Sequence, residues 1–596
     1  MKGKGEQSGS AMISRLFFRL LPVQVAVVAM GSINSIVDGV IAARFIDAST
    51  VGVVGLYYTM IRILEAAGAV LLGGVSVLSG RYLGSGRIDK TRGVCSLGLA
   101  IALFIGALLS AASFLVPGTL AVWLGANTEL KSALSTYIVG YAIGIVPQLL
   151  AQQLAASLQL ERQDRRGQAG IFVMIAVNVA LDILFVAVMK KGVWGLALAT
   201  SLANWAYFLV LAPYYLSEKA QLKPGLKCIS WRELPSLLQI GFPNALLVVC
   251  LAARSLVINR ILLAWSGQDG LSALSAFNMI CGLILAVALG AGAVIRTLSS
   301  VFIGEENREG LLGLMKVVLT RVMALILAIT AVVIALAPVL AGIFFPDRAS
   351  DVYRLTKQLF LIYGCCIPLV LLLIAYSNYC QATAHRLFVN LVSLTDGFLS
   401  SVIPSLLLAP RLGAFGVWLS FPIGLGITAC LSIAYAVIRC RRFPRRSGDW
   451  LLLPQDFGTA ERLVLELREL KEVTQTAVQV QDFCEARGVS RKRSAYAGLC
   501  LEEMAGNIVQ HGFHADRRSH VIELRVVIQN GGAVLRIKDD CIPFDPKERY
   551  EMTVPDDPAS NIGIRLVYAL ADEVEYQNLL GLNVLTIRFA ADAAAS

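Results

Sequence analysis

The chain has 596 residues, of which 56% are hydrophobic and only 16% charged, and its mean hydropathy is +0.68. Soluble domains carry about a quarter charged residues, so composition excludes a water-soluble enzyme over most of the length. The formal net charge of +11 does not indicate nucleic-acid binding, because much of the basic charge sits in short loops between apolar runs (Arg81, Arg87, Lys90, Arg92; Arg162, Arg165, Arg166; Lys219, Lys223, Lys227). That is the pattern that orients a membrane protein. The 12 cysteines are scattered with no CxxC pair, which argues against a zinc site or a disulfide scaffold.

Residues 1–14 form a polar leader without a small-residue cleavage site, expected to stay uncleaved. Apolar runs of about twenty residues then predict twelve spans, at 17–43, 53–78, 95–116, 132–158, 169–189, 192–215, 236–264, 272–299, 314–345, 356–380, 387–408 and 413–438. An even number puts both termini on one side. The basic loops after spans 2, 4 and 6, and RCRRFPRR after span 12, make that side cytoplasmic. The expected organisation is an N-terminal six-helix lobe (15–220), a C-terminal six-helix lobe (221–440), a basic linker (441–455) and a soluble domain (456–596).

The two lobes repeat. Pro22 and Pro243, Pro147 and Pro368, and Gly195 and Gly416 each stand 221 residues apart. The loop GRYLGSGR resembles SVFIGEEN at nearly that spacing. Both halves enter from the same side, so the repeat is parallel, an architecture that places transport sites within or between lobes that rock.

Span 5, IFVMIAVNVALDILFVAVM, holds Asn178 and Asp182 one helical turn apart. An Asp at membrane depth costs roughly 2.5–3.5 kcal/mol on insertion scales, so such residues mark ion or substrate paths by default. Span 1 carries a similar pair, Asn34 and Asp38. At the repeat offset Asp38 maps to Asn259, Asn178 to Leu399 and Asp182 to Ile403, which confines these acids to the first lobe. In span 2, Arg62 and Glu65 stand three apart and read either as a self-neutralised pair or as part of a substrate cavity. Arg254, midway along span 7, has two readings: a partner for a carboxylate such as Asp396, or a contact for an anionic substrate group. The segment GSGRIDKT nearly matches a phosphate loop, but Asp89 stands where glycine is required and no strand precedes it. A P-loop pump is not indicated.

These features resemble the multidrug and toxic compound extrusion (MATE) family of secondary transporters. The resemblance covers about 15–438 and rests on the twelve spans, VDGVIAARFI at the end of span 1, the NVALD of span 5 before GVWGLALATS, and the LGSGR loop. It implies that Asp38, Asn178 and Asp182, with Asn34 nearby, line a proton or sodium site in the N-terminal lobe. It also implies antiport of an organic, cationic substrate across a bacterial inner membrane; Glu65 and Arg254 are the candidates for the substrate cavity on their own placement in spans 2 and 7. A lipid-linked saccharide flippase is the alternative that Arg254 and the Arg62/Glu65 pair would suit.

In the tail, ERLVLELREL predicts a strand, VTQTAVQVQDFCEARG and SAYAGLCLEEMAGNIVQHGF helices, SHVIELRVVIQ and AVLRIKDD a hairpin, NIGIRLVYALADEVEY a helix, and LNVLTIRF a closing strand. The expected fold is an α/β sandwich on a mostly antiparallel sheet. Glu503, Asn507 and His511 succeed one another at helical turns. An Asn oxygen suits magnesium, an Asp leaving a strand can accept an adenine amine, and a helix N-terminus at NIGI can bind phosphate. This order resembles the ATPase fold of gyrase, histidine kinases and mismatch-repair proteins (the GHKL or Bergerat type), and most closely the anti-sigma-factor serine kinases. The resemblance implies ATP with Mg as cofactors. It makes Glu503 the general base, Asn507 the magnesium ligand, Asp539 the adenine reader and Gly563 part of the phosphate turn. Cys541 and Asn561 stand where glycines are usual. The whole is expected to be an antiporter with a nucleotide-binding regulatory domain, which docks a cytoplasmic regulatory protein. The alternative is a membrane-anchored serine kinase whose membrane part is a sensor.

Overall fold

A computed structural model describes residues 12–29, 48–124, 130–161, 163–217, 220–454, 457, 462–513, 520–529, 531–551, 562–579 and 582–591. Asn34, Asp38 and Asn561 lie outside them. The chain divides into two compact units. One is 17–159 with 163–452, and the other is 1–16 and 160–162 with 453–596.

The first unit is helical. Its helices are α1 (Met12–Ala29), α2 (Ala48–Gly84), α3 (Ile88–Leu115), α4 (Pro117–Trp123), α5 (Leu130–Leu160), α6 (Asp164–Asp182) and α7 (Gly192–Leu216). The second half brings α8 (Leu234–Gly304), α9 (Arg308–Val317), α10 (Met323–Phe344), α11 (Asp351–Ala382), α12 (Arg386–Leu394), α13 (Ser400–Leu412) and α14 (Ala414–Cys440). Among the described residues, 11 helical stretches are long and apolar enough to cross a membrane. One of them, Trp231–Gly304, has 74 residues. Straight, it would run roughly 110 Å, several times the hydrocarbon thickness. It is broken at Gly267, whose backbone (φ 61°, ψ −153°) is non-helical. The break falls between the predicted spans 7 and 8.

The repeat is written in the backbone. Gly192 and Gly413, 221 residues apart, both turn the chain with positive φ, 57° and 59°. A side chain there would meet the steric penalty of the left-handed region. Pro147 lies inside α5 and Pro368 inside α11. The hydroxyls of Ser76 on α2 and Thr297 on α8 are 3.4 Å apart, and these two residues are each other's repeat counterparts at the same offset of 221. A residue can touch its own counterpart only near the axis relating the halves, so the α2/α8 seam marks that axis. The seam depends on missing side chains: a Cβ on Gly84 would lie 2.0 Å from the Val301 carbonyl oxygen, and one on Gly304 2.1 Å from that of Arg81.

The second unit holds a five-stranded sheet in the order β1-β2-β3-β5-β4, antiparallel throughout. The strands are β1 (Arg462–Leu467), β2 (Ile522–Gln529), β3 (Gly532–Asp539), β4 (Glu573–Leu579) and β5 (Leu582–Phe589). The helices are α15 (Leu470–Glu485), α16 (Arg491–Asn507), α17 (Pro546–Glu551) and α18 (Ile562–Leu570). Leu501 and Met504 of α16, Val480 of α15 and Val567 of α18 pack with Leu524, Leu535, Ile537 and Ile587 of the sheet in one core. One expectation is corrected. NIGIRLVYALADEVEY is not a single helix: α18 ends at Leu570, and Glu573–Leu579 is strand β4. Val574 and Tyr576 pack on the core, so this segment has the two-residue period of a strand.

The predicted linker 441–455 is also divided. Its residues through Leu452 belong to the helical unit, with a short 3₁₀ turn at Ser447–Leu451.

Candidate functional sites

In the helical unit, α6 ends at Asp182 and continues directly into a π-helical turn, Ile183–Val188. Such turns insert a residue into a helix and recur at functional sites. Asn178 and Asp182 are buried, at 1% and 0% exposure. The side-chain amide of Asn178 donates to Thr200 Oγ1 on α7 at 3.5 Å, and Thr200 in turn donates to the Leu196 carbonyl. Asn178 Oδ1 meets no partner among the described residues. Thr200 is not evident from sequence. It lies within the GVWGLALATS segment, and only the antiparallel packing of α6 on α7 places it beside Asn178. Val186 of the π turn packs with Tyr57, Tyr137 and Tyr141, whose rings are 4.8–6.3 Å apart.

The other charged candidates lie elsewhere. Arg62 and Glu65 form an i,i+3 ion pair at 2.6 Å with both side chains partly exposed, which fits the self-neutralised reading. Arg254 Nη1 donates to the backbone carbonyl of Asp396 at 3.3 Å. The contact that sequence suggests therefore exists, but it is made to the main chain. Asp396 sits in another π turn, Thr395–Leu399.

In the sheet unit, α16 carries Glu503 and Asn507 one turn apart, and both are partly accessible. Asn507 is its last residue before a π turn at Ile508–Gly512, which leaves His511 exposed. Gly563, second residue of α18, lies so close to Glu503 that a Cβ there would stand 2.0 Å from Glu503 Oε2. The approach puts the carboxylate beside the positive end of a helix, and a side chain at this position would push the Glu503 carboxylate away. Asp539 ends β3 and is 4% exposed. Its Oδ1 accepts from Asn583 Nδ2 at 2.7 Å and from the Cys541 amide at 2.9 Å. Burial raises the Asp539 carboxyl above its ordinary range, against the pull of Asn583 and of the Cys541 amide and thiol. Asn583 is not evident from sequence because it becomes relevant through sheet register, which pairs it with Asp539. Asn583 Oδ1 accepts in turn from Tyr576 of β4, at 2.8 Å. The neighbouring Asp540 is bonded to His520 at 2.9 Å. These residues suit an adenine nucleotide: a buried carboxylate faces the strand end, and an Asn oxygen and a helix N-terminus lie on the adjoining elements.

Comparison with known proteins divides the chain in the same way. The MatE family model matches residues 24–188 and 243–404, together more than half of the chain, and the model described as a histidine kinase-like ATPase domain matches 467–589. The multidrug export protein MepA of Staphylococcus saprophyticus is 22% identical over 330 residues, which are 54% of this chain and 72% of MepA. A probable multidrug resistance protein NorM of Pasteurella multocida is 22% identical over 445 residues, 69% of this chain and 90% of NorM. Among solved structures, an outward-facing conformation of a multidrug resistance MATE family transporter aligns with a TM-score of 0.65 and 20% identity, covering 73% of this chain and 98% of that one.

Proposed function

The chain belongs to the MatE family and carries a fused histidine kinase-like ATPase domain, and from that premise we propose that it exports an organic cation in exchange for protons or sodium ions, under the control of nucleotide bound to the tail. The observation that carries the transport reading is the buried Asn178–Asp182–Thr200 group at the π turn of α6. Asp182 holds the coupling ion, and Asn178 and Thr200 supply neutral oxygens. Asp38 and Asn34 are assigned to the same role on their sequence match alone. Ion binding at Asp182 neutralises the site and weakens its hold on a cationic substrate. The multidrug names of the relatives support export of organic compounds. The basic loops support a cytoplasmic placement of both termini in a bacterial inner membrane.

In the tail, Asp539 accepts the adenine amine, Asn507 offers its oxygen to magnesium, and Gly563 lets the start of α18 approach the phosphates. Mg-ATP would supply a transferable phosphoryl group, and Glu503 would take a proton from an acceptor hydroxyl. The tail controls transport or a docked regulatory protein. The test measures dye efflux from proteoliposomes and Mg-ATP binding by calorimetry on the same full-length protein. Asp182→Asn is expected to abolish gradient-driven efflux and leave ATP binding intact; Asn507→Ala is expected to abolish Mg-ATP binding, keep nucleotide-free efflux and remove its response to Mg-ATP. Efflux that survives Asp182→Asn would overturn the coupling assignment.

A second reading rests on Arg254. Its guanidinium bonds to the Asp396 backbone carbonyl with one of its five N–H donors, and the remaining donors suit an anionic headgroup. Faster transport of a lipid phosphate than of a cationic dye, lost in Arg254→Gln, would favour a flippase.

A further inference from the structure

The last two turns of α11 have two sets of partners. On one side they hold the chain that leads into the tail. The Tyr379 hydroxyl donates to the Leu451 carbonyl at 2.7 Å. Trp450 packs edge-on to Tyr376 with ring centroids 6.2 Å apart, and Leu451 is 2% exposed. The segment is braced from within. The Asp449 carboxylate accepts from the Arg445 and Arg446 amides and from the Arg442 guanidinium at 3.2–3.3 Å, and the Cys440 thiol donates to the Asp449 carbonyl. Bonds from the Arg446 amide first, then from Arg445 and Arg442, hold the Asp449 carboxyl below its ordinary range. Arg441 and Leu452, at the two ends, both take positive φ, 54° and 51°, a conformation that non-glycine residues adopt only where their surroundings hold them.

On the other side, the same helix end is bonded across the seam between the halves. The Ala382 carbonyl accepts from Arg81 of α2. Gln381 donates to the Ile240 carbonyl and to Asn244 Oδ1, and Asn244 donates to the Ala69 carbonyl of α2. A transporter whose halves rock must part this seam. Whatever holds the end of α11 therefore acts on the seam.

We propose that residues 440–452 are a clasp through which the tail domain acts on the seam: seated on Tyr376 and Tyr379, the clasp holds α11 against α2, and released, it frees the halves to part. This rests on the reading of the tail as a regulatory domain. It adds the route by which that domain reaches the membrane part.

Because Ser76 and Thr297 face each other across the seam, Ser76→Cys with Thr297→Cys reports its closure. The full-length protein is reconstituted in nanodiscs and oxidised, with the single-cysteine variants setting the background from native thiols. Adding Trp450→Ala and Leu451→Asp is expected to slow the cross-link by about fivefold or more, the lower end of usual coupling between sites. Tyr379→Phe, which removes one hydroxyl and leaves the ring, is expected to slow it less, in the same direction, and serves if the first variant does not fold. An unchanged rate in a folded clasp variant would overturn the proposal. Mg-ATP is then added. A clasp-dependent rate that ignores nucleotide removes ATP control and leaves the clasp standing. A nucleotide response that persists with the clasp broken removes the clasp as its route.

Discussion

The two halves of the helical unit share a scaffold and differ in where the helix before the reversing glycine places its π turn. In the first half the turn lies between Asp182 and the reversing Gly192. In the second it lies at Thr395–Leu399, before the position of Ile403 and farther from the reversing Gly413. One inserted residue rotates the remainder of the helix by about 100°. Positions matched by linear offset therefore do not share a face. Asp182 and Asn178 are buried, whereas their counterparts Ile403 and Leu399 are 51% and 36% exposed. The absence of acids at those counterparts thus has a geometric reason in addition to any specialised role. A repeat carries over helix order and turns more faithfully than it carries over a site.

The sharpest test of that contrast sets Asp182→Asn against Asp396→Asn. The first is expected to abolish gradient-driven dye efflux, because an intramembrane carboxylate marks an ion path. The second is expected to stay within about threefold, since Asp396 meets Arg254 through its backbone. Equal losses would make the halves functionally equivalent. Next comes the seam. Gly84→Val has no room at the Val301 carbonyl and is expected to destabilise the protein by about 1–3 kcal/mol and to cut efflux about tenfold. Gly426→Val meets nothing within 4 Å and is expected to be near neutral in the same melting and efflux measurements.

A smaller effect is expected from pH at the tail site. Burial raises the Asp539 carboxyl, so its proton returns at a higher pH than for an ordinary Asp. The ionised carboxylate is the stronger acceptor for an adenine amine. Mg-ATP affinity measured by calorimetry should fall as pH drops through this raised value. By the same sign, protonated Asp539 is the better-tolerated form in the fold, so stability falls as pH rises from the ordinary Asp range up to the raised value and is level above it. Replacing Asn583 with Ala removes a donor to the carboxylate and should move the loss of affinity to higher pH still. The smallest effect belongs to the Arg62–Glu65 pair. Both side chains are partly exposed, and such pairs contribute about 0–1 kcal/mol. Swapping the two charges should leave efflux within about twofold, and a large loss would place them in the substrate path.

Much of this molecule is legible in its sequence. Apolar runs of membrane length, prolines and glycines at one offset, and a polar tail with strand and helix periods arise from local composition, because each segment must satisfy its own backbone and bury its own apolar face. The tail's candidate residues are legible for the same reason: helix spacing and strand ends are local. Tertiary structure decided what depends on partners distant in sequence. Thr200 meets Asn178 through helix packing, and Asn583 meets Asp539 through strand register. The segment after α18 reads as helix by continuity, yet becomes strand β4 by pairing with β5. The basic stretch after α14 reads as a linker, yet Trp450 and Leu451 find an aromatic seat on α11. Composition sets what a segment can bury, but the surface that buries it is supplied by the rest of the chain.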